Sequence, residues 1–208
     1  MPANRMGMRA ALAEVARLPG ARLGISAVAV GHVVMVGVMS MTPVHIRHNA
    51  ADPGIVLRLV GIVLSVHIAG MYALSPLVGW ATDRYGRRPA IIAAIGVLVA
   101  ACTVAGTAGH GTGQLAAGLA LLGLGWSGTM VAGSTLLVES VPADRRPAVQ
   151  GLSDLVMGLA GATSGALSGV VVGLGSYPLL AVLAALCTVP LLGLALRPVR
   201  SPVPAGAD

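Results

Sequence analysis

The sequence predicts an all-α membrane protein, a six-transmembrane-helix bundle, and three observations carry that prediction. Hydrophobic residues make up 56% of the 208 positions and charged residues 10%; a water-soluble fold of this size would have to leave large apolar patches against water. Six apolar runs, each long enough to cross roughly 30 Å of hydrocarbon, stand at Leu23–Thr42, Val56–Trp80, Ala90–Ala108, Gln114–Val138, Val149–Val172 and Pro178–Leu196. The loops between them divide the arginines unequally. Arg5, Arg9, Arg17, Arg22, Arg84, Arg87, Arg88, Arg145, Arg146, Arg197 and Arg200 fall on one side, and Arg47 and Arg58 on the other. An arginine excess marks the cytoplasmic side, so both termini are expected in the cytoplasm, with the chain crossing the plasma (inner) membrane several times.

The thirteen basic residues are all arginine. They are scattered among apolar runs rather than gathered on one face, which argues against nucleic-acid binding. The net charge of +6 is instead expected to anchor the loops on anionic lipid of the bilayer. Cys102 and Cys187 sit inside apolar runs without ligand spacing, so they are expected to be small buried hydrophobes. Neither a metal nor a cofactor is expected.

Taken in order, residues 1–22 form an N-terminal segment outside the membrane, in which Met8–Leu18 has a weak amphipathic pattern suited to lying on the cytoplasmic surface. The run after Arg22 is too long for a signal-peptide core and ends in no small-x-small cleavage site, so it reads as a span. The bundle proper is expected over 23–196. Its first run places His32 near mid-depth, about 15 Å from either surface at 1.5 Å per residue, with Met35 and Met39 on the same helical face. The second carries Ser65, His67 and Tyr72, with His67 also near mid-depth. The third holds only Cys102, Thr103 and Thr107 as mildly polar groups, and the sixth only Cys187, Thr188 and the helix-bending Pro190; these two are expected to face lipid. The fourth contains Trp126, Ser127 and Ser134. Polar groups are costly against lipid, so those of the first, second, fourth and fifth runs should face protein or a wet cavity. In the fifth, Gly151, Asp154, Gly158, Gly161, Gly165 and Gly169 recur every three or four residues, the spacing of a helix–helix seam. Asp154 on that face reads either as a carboxylate paired near the cytoplasmic surface or as a proton-coupling acid. Residues 197–208, with three prolines, are expected to be a disordered cytoplasmic tail.

Between the second and third runs stands Gly79-Trp80-Ala81-Thr82-Asp83-Arg84-Tyr85-Gly86-Arg87-Arg88. Gly79 would let a helix end approach a neighbour, Asp83 offers an acceptor, Gly86 permits a tight reversal, and the arginines hold the turn among headgroups. This G-x-x-x-D-R-x-G-R-R pattern resembles the loop signature of the major facilitator superfamily of secondary transporters. Glu139-Ser140-Val141-Pro142-Ala143-Asp144-Arg145-Arg146, between the fourth and fifth runs, is similar to a second segment of that family. There the Glu pairs with a hairpin arginine, which makes Glu139 the expected latch partner of Arg84 or Arg87, with Arg145 beside it. The chain lacks the deep Arg of the fourth helix and the Gly-Pro of the fifth that N-terminal halves often carry, and so resembles a C-terminal half.

The resemblance implies rocker-switch alternating access to a small-molecule substrate, driven by protons, between two six-helix bundles. One bundle cannot alternate its own access, so a separate N-terminal half or a second copy is an expected partner, the chain being either a fragment of a twelve-helix protein or a half-sized product. His32, His67 and Asp154 are the candidate proton or substrate residues, although a buried neutral histidine bonded to a backbone carbonyl or hydroxyl is the leading reading for either imidazole. Met35, Trp126, Ser127, Gly158, Gly161 and Gly165 are candidate cavity or packing residues. Gly125-Trp126-Ser127-Gly128 also has the G-x-S-G form of rhomboid intramembrane serine proteases, but that chemistry needs a general base and the sixth run contains no histidine. A phosphate-binding loop and mitochondrial-carrier repeats are missing too. An inactive or scaffolding half is the remaining alternative, and an enzyme is not expected.

Overall fold

A computed structural model describes residues 7–49 and 52–197. Among these residues the secondary structure is α1 (Met8–Arg17), α2 (Pro19–Asn49), α3 (Pro53–Tyr72), α4 (Ser75–Tyr85), α5 (Arg87–Gly106), α6 (Thr112–Glu139), α7 (Arg146–Leu174), α8 (Tyr177–Leu186) and α9 (Val189–Leu196), with a 3-10 turn at Ala143–Arg145. Six spans result: Pro19–Asn49, Pro53–Tyr85, Arg87–Gly106, Thr112–Glu139, Ala143–Leu174 and Tyr177–Leu196. Each expected run is there, and most extend further than the apolar stretch alone.

Local chemistry explains the ends. Proline occupies the first turn of α2, α3, α4, α7, α8 and α9, where its missing N–H costs nothing. Asp52 caps α3 by accepting from the Gly54 amide at 2.7 Å, and Ser176 caps α8 by accepting from Leu179 at 3.3 Å. The second and sixth spans are each broken once, before Pro76 and before Pro190, since a proline inside a span removes a backbone donor. The bend at Pro190 matches the expectation; Pro76 gives an equivalent break not read from the sequence.

The packing hub is α6, flanked by α2, α3 and α5. Lipid tails are as apolar as leucine, so spans associate through close packing rather than hydrophobic transfer, and α6 achieves this with glycine on three sides. A Cβ on Gly24 would lie 2.6 Å from the Gly133 carbonyl oxygen, and one on Gly118 would lie 2.7 Å from the Ala105 nitrogen. Gly123 sits against the His67 and Met71 backbone, and Gly70 against that of Ala120. Leu98, Leu119, Leu122, Val34, Val38 and Val63 fill the remaining core.

Several expectations are corrected. The glycine stripe of α7 is not one seam: Gly161 and Gly165 face α2, whereas Gly151, Gly158 and Gly169 have nothing within 4 Å of a notional Cβ. α1 packs on the bundle itself: Ala11 and Val15 are buried with Leu137, Val141, Val149 and Leu152 at its end. α2 begins at Pro19, inside the segment expected to precede the membrane. The second and fifth spans are covered less than the third and sixth, so exposure within this bundle does not by itself single out the lipid-facing pair. Cys102 is buried as expected and Cys187 is exposed. Apart from Arg197, the expected disordered tail lies outside the described residues.

Candidate functional site

The hairpin between α4 and α5 reverses through Gly86, whose φ of +94° lies where only glycine is unstrained. That reversal puts Arg87 at the first turn of α5, facing the last residue of α6. Arg87 grips Glu139 with two hydrogen bonds, Nε to Oε2 at 3.0 Å and a terminal nitrogen to Oε1 at 2.8 Å. The same guanidinium reaches Asp83 at 3.0 Å and the Thr82 carbonyl at 3.2 Å. A fork-to-fork pair of this kind fixes direction as well as charge. Arg88 donates to the Arg197 carbonyl, tying the hairpin to the end of α9.

Of the two arginines proposed for Glu139, Arg87 is therefore the partner, and Arg84 makes no ion pair among the described residues. Arg145 does not join the latch. It pairs with Glu14 of α1 at 2.7 Å, because the 3-10 turn carries it past α6 toward the N-terminal helix. Gly79 does not mediate close approach either, having nothing within 4 Å of a notional Cβ.

At mid-depth the structure joins residues from four spans. The Trp126 indole N–H donates to His32 Nδ1 at 3.1 Å, and the Tyr72 ring meets the Trp126 ring edge-on at a centroid distance of 6.2 Å. Gly161 of α7 seats the imidazole: a Cβ there would lie 2.8 Å from His32 Cδ2. Indole nitrogen only donates, so His32 Nδ1 is the bare nitrogen and the ring proton sits on Nε2. Tyr72 is 61% exposed, which places this chain of rings at the open side of the bundle.

His67 is different. It is fully buried between α3 and α6, and its Nδ1 donates to the Leu119 carbonyl at 2.9 Å. Its Nε2 is sealed without a hydrogen-bond partner among the described residues, so a second ring proton would find no acceptor there. The carbonyl-bonded neutral histidine is the reading that this geometry supports. Ser127 is also buried; Ser75 spends its proton on the Met71 carbonyl at 2.7 Å, so Ser127 donates to Ser75 at 2.9 Å. No histidine is hydrogen-bonded to Ser127 among the described residues, and the protease arrangement is not assembled. Met35 packs in the core beside Val34 and Val38 rather than lining a cavity.

Asp154 is exposed and makes no ion pair among the described residues, against the expectation of a paired carboxylate. It shares an uncovered flank of α7 with Gly151, Gly158, Leu155 and Leu159. Separately, an open groove of about 460 Å³ lies between α7 and α8 over α2, apolar except for Thr163, Ser164 and Ser168 along its wall.

At the opposite end, sequence reasoning missed a polar clasp. Tyr177 donates to Thr42 at 3.0 Å, because Thr42 already donates to Val38 at 3.0 Å. His45 stacks on Tyr177 at 4.4 Å and bonds the Gly109 carbonyl at 2.9 Å. The only local signal was Thr42 and His45 sharing a helical face.

Comparison with known proteins agrees with this architecture. Residues 23–208 match the family model described as Major Facilitator Superfamily. The chain is 37% identical over 164 residues to YddS, an uncharacterized MFS-type transporter of Bacillus subtilis (strain 168), covering 78% of the chain and 37% of that relative. It is also 37% identical over 172 residues to YdeG, an uncharacterized MFS-type transporter of the same strain, covering 82% of the chain and 39% of that relative. The chain thus spans about two-fifths of the length of these relatives.

Proposed function

Since the chain belongs to the major facilitator superfamily, and so to the proteins that move solutes across membranes, we propose that it works as one six-helix half of a proton-coupled secondary transporter. A second bundle completes the pathway, and the arginine-rich ends lie in the cytoplasm of a plasma (inner) membrane. The observation that carries the half-transporter reading is the uncovered side of the bundle. Tyr72, Leu77 and Trp80 of the second span and Asp154, Leu155 and Leu159 of the fifth, the two spans covered least, are all exposed. A lone carboxylate held against lipid is expensive, so that side favours a covering protein surface, and alternating access needs two bundles around a mid-depth site.

The latch supports the mechanism. Arg87, Asp83 and Glu139 hold α4, α5 and α6 together at the arginine-rich end, which suits the breaking and remaking of contacts as access switches. The packing of α1 at that same end suits a segment leading from a central loop into a C-terminal-type half. The candidate solute wall is the His32–Trp126–Tyr72 chain of rings, with His32 as the proton site in preference to the sealed His67.

Crosslinking tests the missing bundle. With Cys102 and Cys187 replaced by Ala, Gly158→Cys should form a covalent product with a second bundle in membranes, and the mass of that product distinguishes a second copy from a separate N-terminal half. Gly165→Cys should not, since it faces Val36 of α2. Monomer alone at position 158 would overturn the two-bundle reading and favour an inactive half.

A further inference from the structure

We infer that His32 and Trp126 form a proton-gated pair, in which the indole N–H is bonded to the imidazole only while His32 is neutral, and that Tyr72 carries the change to the uncovered side. The inference rests on the transport reading for its purpose but not for its chemistry.

In the neutral ring the Nε2 proton is fixed by elimination, because Nδ1 accepts from Trp126 at 3.1 Å. A proton arriving from water adds to Nδ1, the only nitrogen with a free pair. Both ring nitrogens are then donors, the indole has no acceptor to offer, and N–H opposes N–H. The bond must break, and the proton leaves by the reverse step when it re-forms. The indole has one favourable alternative, which is to turn its face toward the new cation. At present the two rings are 6.3 Å apart and inclined at 49°, between edge and face, so a modest rotation suffices. Tyr72 packs edge-on against that indole and must follow.

The surroundings leave the equilibrium to this pair. α7 contributes Gly161 to the ring, and its Asp154 lies about 10 Å further along the helix at 1.5 Å per residue. The single charged residue of α6 is Glu139, at the far end and held by Arg87. On α3, His67 has its own bond to Leu119. Thr129, beside Gly31, spends its proton on the Trp126 carbonyl at 2.9 Å and steadies the indole backbone.

The chain has two tryptophans, so Trp80→Phe leaves Trp126 as the sole reporter. In lipid nanodiscs, its emission should change as the pH is lowered, with the steepness of one proton. Its indole N–H resonance should move from a hydrogen-bonded to a free position over the same range. Adding His32→Gln, whose side-chain oxygen accepts at every pH, should abolish the transition. Flat emission with an unmoved resonance, or an identical transition in the His32→Gln variant, would overturn the pair. The resonance is read with His32 intact, so a variant that fails to fold does not decide the result. A titrating pair in a chain that moves no solute would refute the transport reading alone, and solute-driven flux with a flat titration would refute the pair alone.

Discussion

Replacing Gly24 by alanine is predicted to loosen the bundle, whereas the same change at Gly158 is not. The added methyl at Gly24 would sit 2.6 Å from the Gly133 carbonyl oxygen and 2.8 Å from the Leu137 nitrogen, both backbone atoms of α6. Ordinary contact begins near 3.4 Å, so α2 and α6 must separate by most of an ångström. Overpacking of this kind costs about 1–3 kcal/mol. Alanine returns about 1 kcal/mol through its better helix propensity, leaving a net loss of roughly 0–2 kcal/mol. At Gly158 the methyl meets nothing within 4 Å, so only the propensity gain remains, and the two variants should differ by about 2 kcal/mol, or roughly thirtyfold in the unfolding equilibrium. Unfolding in mixed micelles by added SDS, followed by loss of helical circular dichroism, measures that difference. A Gly24→Ala protein as stable as Gly158→Ala would refute the assignment of α6 as hub and of the α7 flank as open.

Three further outcomes are expected. Glu139→Gln keeps the shape but removes the charge that Arg87 grips, so helicity should be unchanged while cysteine labelling at Ser75→Cys, above the latch, increases; unchanged labelling would separate the latch from access. Asp144→Cys should resist an impermeant thiol reagent applied outside intact cells and His110→Cys should react, and the reverse result would invert the topology. Glu14→Gln should free α1 from Arg145, with amide exchange over 8–17 quickening up to about fivefold for a partly exposed pair worth at most about 1 kcal/mol; unchanged exchange would show that Ala11 and Val15 alone hold the helix.

What was legible in the sequence follows from the length of the signal. Spans are read from twenty-residue averages of apolarity, which packing scarcely alters, and the runs lie within the observed spans except that the third runs two residues past Gly106. The Arg87–Glu139 grip was legible because residue types and loop positions both pointed to it. The seam was not, because glycine spacing shows that a close approach is possible without showing which helix makes it. α7 has the more regular stripe, yet α6, with Gly118, Gly123, Gly125, Gly128 and Gly133 at uneven intervals, receives the neighbours. Uneven spacing suits a helix packed on three sides. Arg145 was misassigned for a similar reason: a turn of three residues decides whether its side chain reaches Glu139 or Glu14, and sequence distance cannot resolve that.

The central claim is that two bundles carry a small solute across a bilayer by alternating access. It is tested most directly by uptake into proteoliposomes containing the crosslinkable two-bundle form, with empty liposomes alongside. The panel should cover amino acids, sugars, organic anions, organic cations and apolar amines, with mass spectrometry of the trapped contents. The account predicts that at least one solute accumulates when the outside is acidified, that His32→Gln lowers this driven uptake, and that exchange of preloaded solute survives in that variant. If no solute enters beyond the level of empty liposomes while the two-bundle form is intact, the claim of transport is contradicted.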